Sequence, residues 1–234
     1  MAKKVFIDPG HGGTDSGAVG VDNLLEKNIN LQVARKVEEL LKKQGLDVKL
    51  SRYSDETVSL GSRTNNANAW KADCFISIHC NAFNEKASGI ETYSHTTATN
   101  NLANNIHYEL LNTKAYSANR GTKSANYYVL RNSSMRACLV ELGFIDNKAD
   151  AKFLTQNQDA LALGIAKGIC RYLNVEYKPA SSSTENPKPP VTDSETFYRV
   201  VCGSYNNKVY AEEKVEELKD LGMKDVFIVG YKKQ

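Results

Sequence analysis

Two histidines stand where apolar runs of the sequence end. His11 follows Val5–Ile7 and the turn-forming tripeptide DPG, and His79 directly follows Cys74–Ile78. Both runs are typical of buried strands. Because ligands collect beyond the carboxyl ends of strands in open α/β sheets, the two imidazoles are candidate metal ligands or proton-transfer groups.

The loop around the first histidine has two interpretations. Gly10, Gly12 and Gly13 are expected to keep side chains away from the imidazole, so that a metal ion or a substrate could approach closely. The simpler interpretation is a polar turn that holds a solvated histidine. His95 and His107 have no evident partner, so we expect them to be surface or core histidines and not ligands.

A carboxylate at Glu26 falls on the apolar stripe of a predicted helix, in line with Val33 and Val37. This side chain therefore points toward the sheet, where a charge is unfavourable unless it is paired or binds a metal. Alternatively, Glu26 complements the helix dipole at a frayed N-terminus.

A second carboxylate, Glu141, closes the apolar run Ala137–Val140. A buried glutamate here is either a catalytic base tuned by desolvation or a member of a structural salt bridge. In the second case its candidate partners are Arg120, Arg131 and Arg136.

Together, His11, Glu26 and His79 offer two nitrogens and one oxygen. Such a set suits catalytic zinc, with a fourth position left for water. Zinc lowers the pKa of its water to about 7 and polarises a carbonyl. Glu141 would then accept the proton of the water and return it to a leaving amine. The spacing alone is not specific, because the candidate ligands are scattered along the chain.

The elements that position these residues alternate between strand and helix, which predicts an α/β fold with a mainly parallel sheet covered on both faces. The predicted strands are Val5–Ile7, Leu46–Leu50, Cys74–Ile78, Gly89–Ser94 and Ala137–Val140, with another short apolar run at Tyr127–Leu130. The predicted helices are Leu24–Gly45, Leu60–Lys71, Asn100–Leu111 and Asp150–Leu173.

A proline-rich segment divides the chain. Lys178–Thr192 contains four of the five prolines, which predicts a catalytic domain at 1–175, a linker at 176–194 and a small β-α-β unit at 195–234. A unit of about forty residues without a metal or disulfides rarely folds alone. We therefore expect a homodimer joined through residues 195–234.

Composition excludes several classes of protein. The net charge of +3 comes from 30 basic and 27 acidic residues without a basic stripe, which argues against nucleic-acid binding. No apolar run approaches the ~20 residues that cross a membrane. The five cysteines lack a CxxC pair and predict buried, reduced thiols. The start of the chain lacks the pattern of a signal peptide, which predicts synthesis in the cytoplasm and another route to any extracellular target.

Seven segments have the residue types and the order of a known motif set. They are DPGHGG at Asp8–Gly13, Glu26, RTNNAN at Arg63–Asn68, SIHCNA at Ser77–Ala82, NRG at Asn119–Gly121, YVLRN at Tyr128–Asn132 and LVELGFIDN at Leu139–Asn147. Over Lys4–Leu173 the chain thereby resembles the zinc-dependent N-acetylmuramoyl-L-alanine amidases of the Amidase_3 type, the peptidoglycan hydrolases of bacterial autolysins and phage endolysins.

The resemblance implies zinc ligands at His11, Glu26 and His79, and a catalytic glutamate at Glu141. It also implies a twisted, mostly parallel sheet of about six strands flanked by helices. Arg136 departs from the family, which often has proline before the last strand, and we expect this change to alter only a turn. Residues 195–234 are similar to half of a SPOR-type peptidoglycan-binding domain.

Three functions are compatible with these features. The first is hydrolysis of the amide between N-acetylmuramic acid and L-alanine of the stem peptide, with the missing signal peptide favouring a phage endolysin. The second is a zinc peptidase that cleaves within the stem or the cross-bridge. The third is a wall-binding protein without activity, against which the glutamate at position 141 argues.

Overall fold

The computed structural model describes residues 2–95, 101–113 and 118–179, together with Glu212 and Val215. In these ranges the strands are β1 (Lys4–Pro9), β2 (Asp47–Leu50), β3 (Cys74–Asn81), β4 (Ile90–Ser94), β5 (Asn119–Ser124) and β6 (Arg136–Phe144). The helices are α1 (Glu26–Lys43), α2 (Leu60–Trp70), α3 (Asn101–Asn112), α4 (Tyr128–Arg131), α5 (Lys148–Gln156) and α6 (Gln158–Tyr172).

The strands form one six-stranded sheet in the order β2-β1-β3-β6-β4-β5. β2, β1, β3 and β6 are parallel to their neighbours, whereas β4 runs antiparallel to β6 and pairs in parallel with β5. The predicted α/β class with a mostly parallel sheet of about six strands is confirmed.

Helices cover both faces of the sheet. α1, α3 and α6 pack on the larger apolar cluster, which includes Ile7, Val33 and Ile76. α2 and α4 cover the other face over a smaller cluster built around Phe6 and Phe75, whose rings stack at 5.8 Å between centroids. Because side chains alternate along a strand, the odd-numbered residues of β3 and β6 point toward this smaller cluster.

Several predicted boundaries differ from the structure. The apolar run at Tyr127–Leu130 forms part of the short helix α4 instead of a strand. The helical pattern Asp150–Leu173 is divided into α5 and α6 at Asn157, where the backbone leaves the helical conformation. β3 and β6 continue past His79 and Glu141 to Asn81 and Phe144, so both side chains lie just inside the ends of their strands.

The chain divides into two units, Met1–Ser181 and Ser182–Gln234. The predicted β-α-β unit at 195–234, and the linker at 176–194 beyond residue 179, lie outside the described residues apart from Glu212 and Val215. Within the described ranges, none of the helices has the length and apolar character needed to cross a membrane. Four cysteines in these ranges are buried free thiols, namely Cys74, Cys80, Cys138 and Cys170.

Candidate metal centre

Three predicted ligands meet at the carboxyl end of the central strands. Their ligand atoms, on His11, Glu26 and His79, all lie within 4.8 Å of one another. Glu26 bridges the two rings, with Oε2 at 3.2 Å from His11 Nε2 and Oε1 at 2.9 Å from His79 Nδ1. The imidazoles lie edge to face, with ring centroids 4.9 Å apart. Three separate elements thus present two nitrogens and a carboxylate to one point.

Glu26 is held in place by groups that do not belong to the two histidines. It is the first residue of α1, and its side chain is almost fully buried. Its carboxylate accepts hydrogen bonds from the backbone N–H groups of Ala18 at 2.8 Å and Cys80 at 3.0 Å, and from the Asn30 amide at 3.3 Å. Burial opposes ionisation, but the hydrogen bonds and charges of the two histidines outweigh it and hold the pKa of Glu26 well below its usual value. Glu26 therefore lies at the N-terminus of α1 and is at the same time a buried, paired carboxylate.

The ring of His11 is oriented by Asp15, whose Oδ2 lies 2.8 Å from Nδ1. If Nδ1 donates this hydrogen bond, the lone pair of Nε2 points toward Glu26, which is the orientation that a metal ligand needs. Burial lowers the pKa of His11, but the hydrogen bonds and charges of Glu26 and Asp15 raise it to about 9 overall. Before an ion binds, the cluster therefore holds a proton at the position that the ion would take.

Two buried arginines fix the backbone of the loop that carries His11. Arg63 donates hydrogen bonds to the carbonyl oxygens of Pro9 and His11, each at 2.8 Å. Arg52 donates to the carbonyl oxygens of Pro9 and Gly10, each at 3.0 Å. His11 has a φ of 60°, a left-handed conformation that is unusual for a residue with a side chain. The arginines stabilise this conformation because they bind the carbonyl groups on both sides of it.

Asp8 neutralises one of these arginines beneath the loop. Its carboxylate, 1% exposed, accepts from Arg63 at 2.7 Å and from the hydroxyl groups of Ser51 at 2.6 Å and Ser77 at 2.8 Å. Both oxygens are therefore used in hydrogen bonds. A buried charge pair of this kind is expected to be costly to break, because either partner alone would be left uncompensated.

Two glycines permit the ligands to approach closely. A Cβ atom at Gly10 would lie 2.2 Å from His79 Cε1. Gly17, with a φ of +64°, would place a Cβ atom 2.5 Å from Glu26 Oε2 and 2.6 Å from His11 Cδ2. No residue other than glycine fits at either position without displacing a candidate ligand.

The expectation for Gly12 and Gly13 was wrong in its geometry. A Cβ atom at Gly12 would contact the backbone of Glu56 at 2.4 Å, and one at Gly13 would contact Thr57 Oγ1 at 2.2 Å. These glycines make room for the neighbouring loop and not for the imidazole of His11. The sequence did not show this, because the contact joins segments more than forty residues apart.

Glu141 lies beside the cluster as the register partner of His79. Its Oε2 atom is buried and has no hydrogen-bond partner among the described residues. Burial raises the pKa of Glu141 to about 7, with the charges of Glu26 and Glu91 adding to the rise and that of His79 opposing it. The carboxyl group can therefore exchange a proton near neutral pH.

The alternative salt bridge of Glu141 is not found in the described part of the chain. Arg120 pairs instead with Glu91 at 2.9 Å, and Arg131 donates to Asn126 at 2.9 Å. Arg136, on an exposed position at the start of β6, forms no described ion pair with Glu141 either.

The other two histidines stay apart from the cluster. His95 is exposed. His107 is buried in α3, with its ring nitrogens 3.1 Å from Thr92 Oγ1 and 2.8 Å from Asn119 Oδ1. No local pattern indicated these two partners, but the prediction of a core histidine agrees with their geometry.

Sequence reasoning missed three residues that support the cluster, namely Asp15, Arg52 and Glu91. Asp15 could have been found as a carboxylate four residues from a candidate ligand in a glycine-rich loop. The other two had no such signal. A guanidinium that binds backbone carbonyls and a glutamate on a short strand both resemble ordinary surface residues in the sequence.

The donor set fits zinc. Imidazole nitrogens and a carboxylate oxygen are common catalytic zinc ligands, and three protein ligands leave room for water. The hydrogen bond from Asp15 to the ring of His11 matches the outer support that ligating histidines receive. The same atoms could also bind other divalent metals of similar size and preference.

Comparisons with known proteins show the family to which the chain is similar. Residues 5–171 match the family described as N-acetylmuramoyl-L-alanine amidase. The chain is 36% identical over 233 residues to the sporulation-specific N-acetylmuramoyl-L-alanine amidase of Bacillus subtilis strain 168, covering 97% of this chain and 84% of that protein. It is 37% identical over 200 residues to the endolysin of Bacillus phage SPP1, covering 81% and 73%.

A solved structure shows the same fold. The catalytic domain of CwlV, the N-acetylmuramoyl-L-alanine amidase of Bacillus (Paenibacillus) polymyxa var. colistinus, superposes with a TM-score of 0.71 at 38% identity. The match covers 74% of this chain and 99% of that domain. The matched residues and the shared fold lead to one conclusion: this chain belongs to the N-acetylmuramoyl-L-alanine amidase family.

Proposed function

We propose that the protein is a zinc-dependent amidase that hydrolyses the bond between the lactyl group of N-acetylmuramic acid and L-alanine of the peptidoglycan stem peptide. Membership of the amidase family supports the reaction. The observation that carries the zinc dependence is the convergence of His11, Glu26 and His79 beside Glu141, whose buried oxygen has no partner among the described residues.

In this proposal, His11 Nε2, His79 Nδ1 and the carboxylate of Glu26 hold the ion. When bound, zinc supplies the positive charge that polarises a carbonyl group and acidifies water. The backbone amides on Glu26 and the carboxylate of Asp15 keep Glu26 and His11 oriented before the ion arrives. This preorganisation reduces the reorganisation that binding requires.

Glu141 acts as the general base and then as the general acid. It accepts a proton from the water that attacks the amide carbonyl, and it returns the proton to the alanine nitrogen as the carbon–nitrogen bond breaks. The products are a lactyl carboxylate on the glycan and a peptide with a free alanine amine. A pKa of about 7 suits both transfers, because each protonation state is accessible near neutral pH.

Mass spectrometry of digested peptidoglycan tests this function. The expected products are peptides with a free L-alanine N-terminus and no new reducing sugar, and a chelator should abolish them until zinc is added. New N-termini within the stem or the cross-bridge would identify a peptidase instead. Binding to walls without any product would identify an inactive wall-binding protein.

We propose further that the protein acts on the wall during lysis, as the name of its phage relative suggests for that protein. Expression in a host cell offers a direct test. An enzyme that reaches the wall through a membrane lesion leaves cells intact until a permeabilising agent is added, and lysis should follow at once. Lysis without the agent would contradict this setting.

The organisation of the chain is also a proposal, with a catalytic domain at 1–175, a linker at 176–194 and a SPOR-like unit at 195–234. We propose that two copies of the last unit pair, because one β-α-β unit of this size leaves unpaired sheet edges. Two linked catalytic domains would then act on one wall patch. Sedimentation of the full chain should show a dimer at tens of micromolar, and a monomer with a folded tail would contradict the proposal.

A further inference from the structure

A buried carboxylate next to Glu141 pairs with cations on the side of Glu141 away from His79. Glu91, which is 2% exposed, lies opposite Glu141 across the antiparallel pair β4–β6. It accepts hydrogen bonds from Tyr93 Oη at 2.9 Å and Arg120 Nε at 2.9 Å, and it forms an ion pair with Lys123. His79, Glu141 and Glu91 therefore form one row across three neighbouring strands.

Glu91 lies opposite a second carboxylate and is paired with two cations. Like charges directly opposite on neighbouring strands are unfavourable, so Glu91 needs a cation. Arg120 and Lys123 both pair with this single carboxylate. Both cations are more than one-third exposed, at 37% and 38% of the side chain, so a ligand can reach them.

The guanidinium of Arg120 is fixed but only partly used. Its Nε bonds to Glu91, and its central carbon lies 4.9 Å from the centroid of the Phe144 ring on β6. In the described part of the chain its terminal amino groups have no hydrogen-bond partner. A guanidinium held in one orientation by its Nε, with both terminal amino groups available as donors, matches the planar geometry of a carboxylate.

Two aromatic rings lie next to these cations. The rings of Tyr93 and Tyr127 lie edge to face at 5.4 Å, and Lys123 Nζ lies 5.8 Å from the Tyr93 centroid. Tyr127 is 42% exposed, and the charges of Glu141 and Glu91 contribute, after burial, to raising its pKa. This exposed ring packs against Tyr93, whose hydroxyl group donates to Glu91, and it can flank a bound chain.

We propose that Arg120 and Lys123 form a subsite that binds a carboxylate of the substrate, namely the free carboxylate on the residue that follows alanine in the stem peptide. The proposal rests on the proposed amidase function. The alanine nitrogen must lie beside Glu141 to receive its proton, and the peptide continues from that nitrogen. Arg120 and Lys123 lie on β5, two strands from Glu141, and their side chains reach back to Glu91 on β4. The first anionic group beyond the alanine nitrogen would meet these cations, at a sheet spacing of ~4.8 Å per strand.

Two synthetic muramoyl dipeptides test the subsite. Both carry L-alanine followed by an acidic residue, and they differ only in whether its α-carboxylate is free or amidated. The wild-type protein loaded with zinc should prefer the free carboxylate by about 10- to 100-fold in kcat/KM, mainly through KM, which is the range expected for a charge-assisted hydrogen bond. Arg120→Gln should slow cleavage of the free form alone and so remove the preference.

Three variants complete the test. Arg120→Lys keeps the charge without the planar fork, and it should restore part of the preference. Lys123→Gln should weaken the preference and serves as the second variant if Arg120→Gln melts at a much lower temperature. Arg171→Gln is the control, because Arg171 on α6 forms a similar exposed pair with Glu109 on α3 at 3.2 Å. It should keep the full preference although the net charge changes equally.

Two outcomes would overturn the subsite alone. One is equal cleavage of the free and amidated substrates by the wild type, and the other is an equal loss on both substrates in Arg120→Gln. If the wild type cleaved neither compound but opened isolated walls at another bond, the amidase function and the subsite would both fail. The product spectrum therefore separates the two failures.

Discussion

His79 and Glu141 are register partners on the adjacent parallel strands β3 and β6. A candidate metal ligand and a candidate base are thus fixed at one sheet spacing by backbone hydrogen bonds, and no loop conformation is involved. The pairing shifts in register immediately after His79, between that residue and Asn81. A water molecule placed between an ion on His79 and the carboxyl group of Glu141 would therefore contact two groups whose separation is set by the sheet.

Glu141→Ala should retain zinc and the fold but lose activity by about 100-fold or more, the magnitude of general acid–base catalysis. Glu141→Gln should behave alike, because the amide keeps the shape but cannot accept the proton. Zinc content and turnover are measured on the same samples. A variant without zinc would make Glu141 a ligand, and one with the wild-type rate would contradict its role as base.

His11→Ala and His79→Ala should lose both zinc and activity, since each removes one of three ligands. His107→Ala is the matched control in a buried position. It should keep zinc and lose about 1–3 kcal/mol of unfolding free energy, because Thr92 and Asn119 are left without their partner. Metal analysis and thermal unfolding give both readouts. Loss of zinc in His107→Ala would show that the ligands are wrongly assigned.

Gly10→Ala should weaken zinc binding about 10- to 100-fold, as is typical when the support of a ligand is disturbed. The added methyl group would lie 2.2 Å from the His79 ring, which must move. Gly61→Ala in α2 is the control, because its nearest neighbour would be Tyr128 Oη at 3.7 Å. It should bind zinc normally. Equal affinities in the two variants would show that the site tolerates a displaced ring.

Zinc affinity should rise with pH. Without metal, burial opposes protonation of His11, but Glu26 and Asp15 raise its pKa to about 9. The proton is therefore bound below this pH and must leave before Nε2 can bind the ion, which changes affinity by about 10-fold per pH unit for each proton displaced. Competition with a chelator from pH 6.5 to 8.5 measures the slope. An affinity independent of pH would show that the ring is already neutral.

The sequence was informative about the central strands and about the position of the two histidines. The runs before His11 and His79 are continuous and apolar, and turn residues or polar residues mark their ends. Parallel neighbours end at the same edge of a sheet, so the two rings had to meet once the strands were adjacent. Burial of Glu26 followed from the helical period of the stripe that contains it.

Other features depend on contacts that no local pattern records. β5 has the sequence NRGTKS without an aliphatic side chain, and it is a strand because it pairs with β4 at the edge of the sheet. β4 runs antiparallel to β6 and parallel to β5, and Glu91 is buried on this strand between its two neighbours. Arg52 and Arg63 are buried because backbone carbonyls of a distant loop solvate them.

The support of Glu26 by the amides of Ala18 and Cys80 has a practical consequence. Small zinc domains fold only around their ion. Here, backbone amides and a large apolar core hold the three candidate ligands in position without an ion. A chain that emerges into surroundings poor in metal would fold first and load later. The purified protein could therefore be stored as an inert, metal-free stock and activated by adding the ion at the point of use.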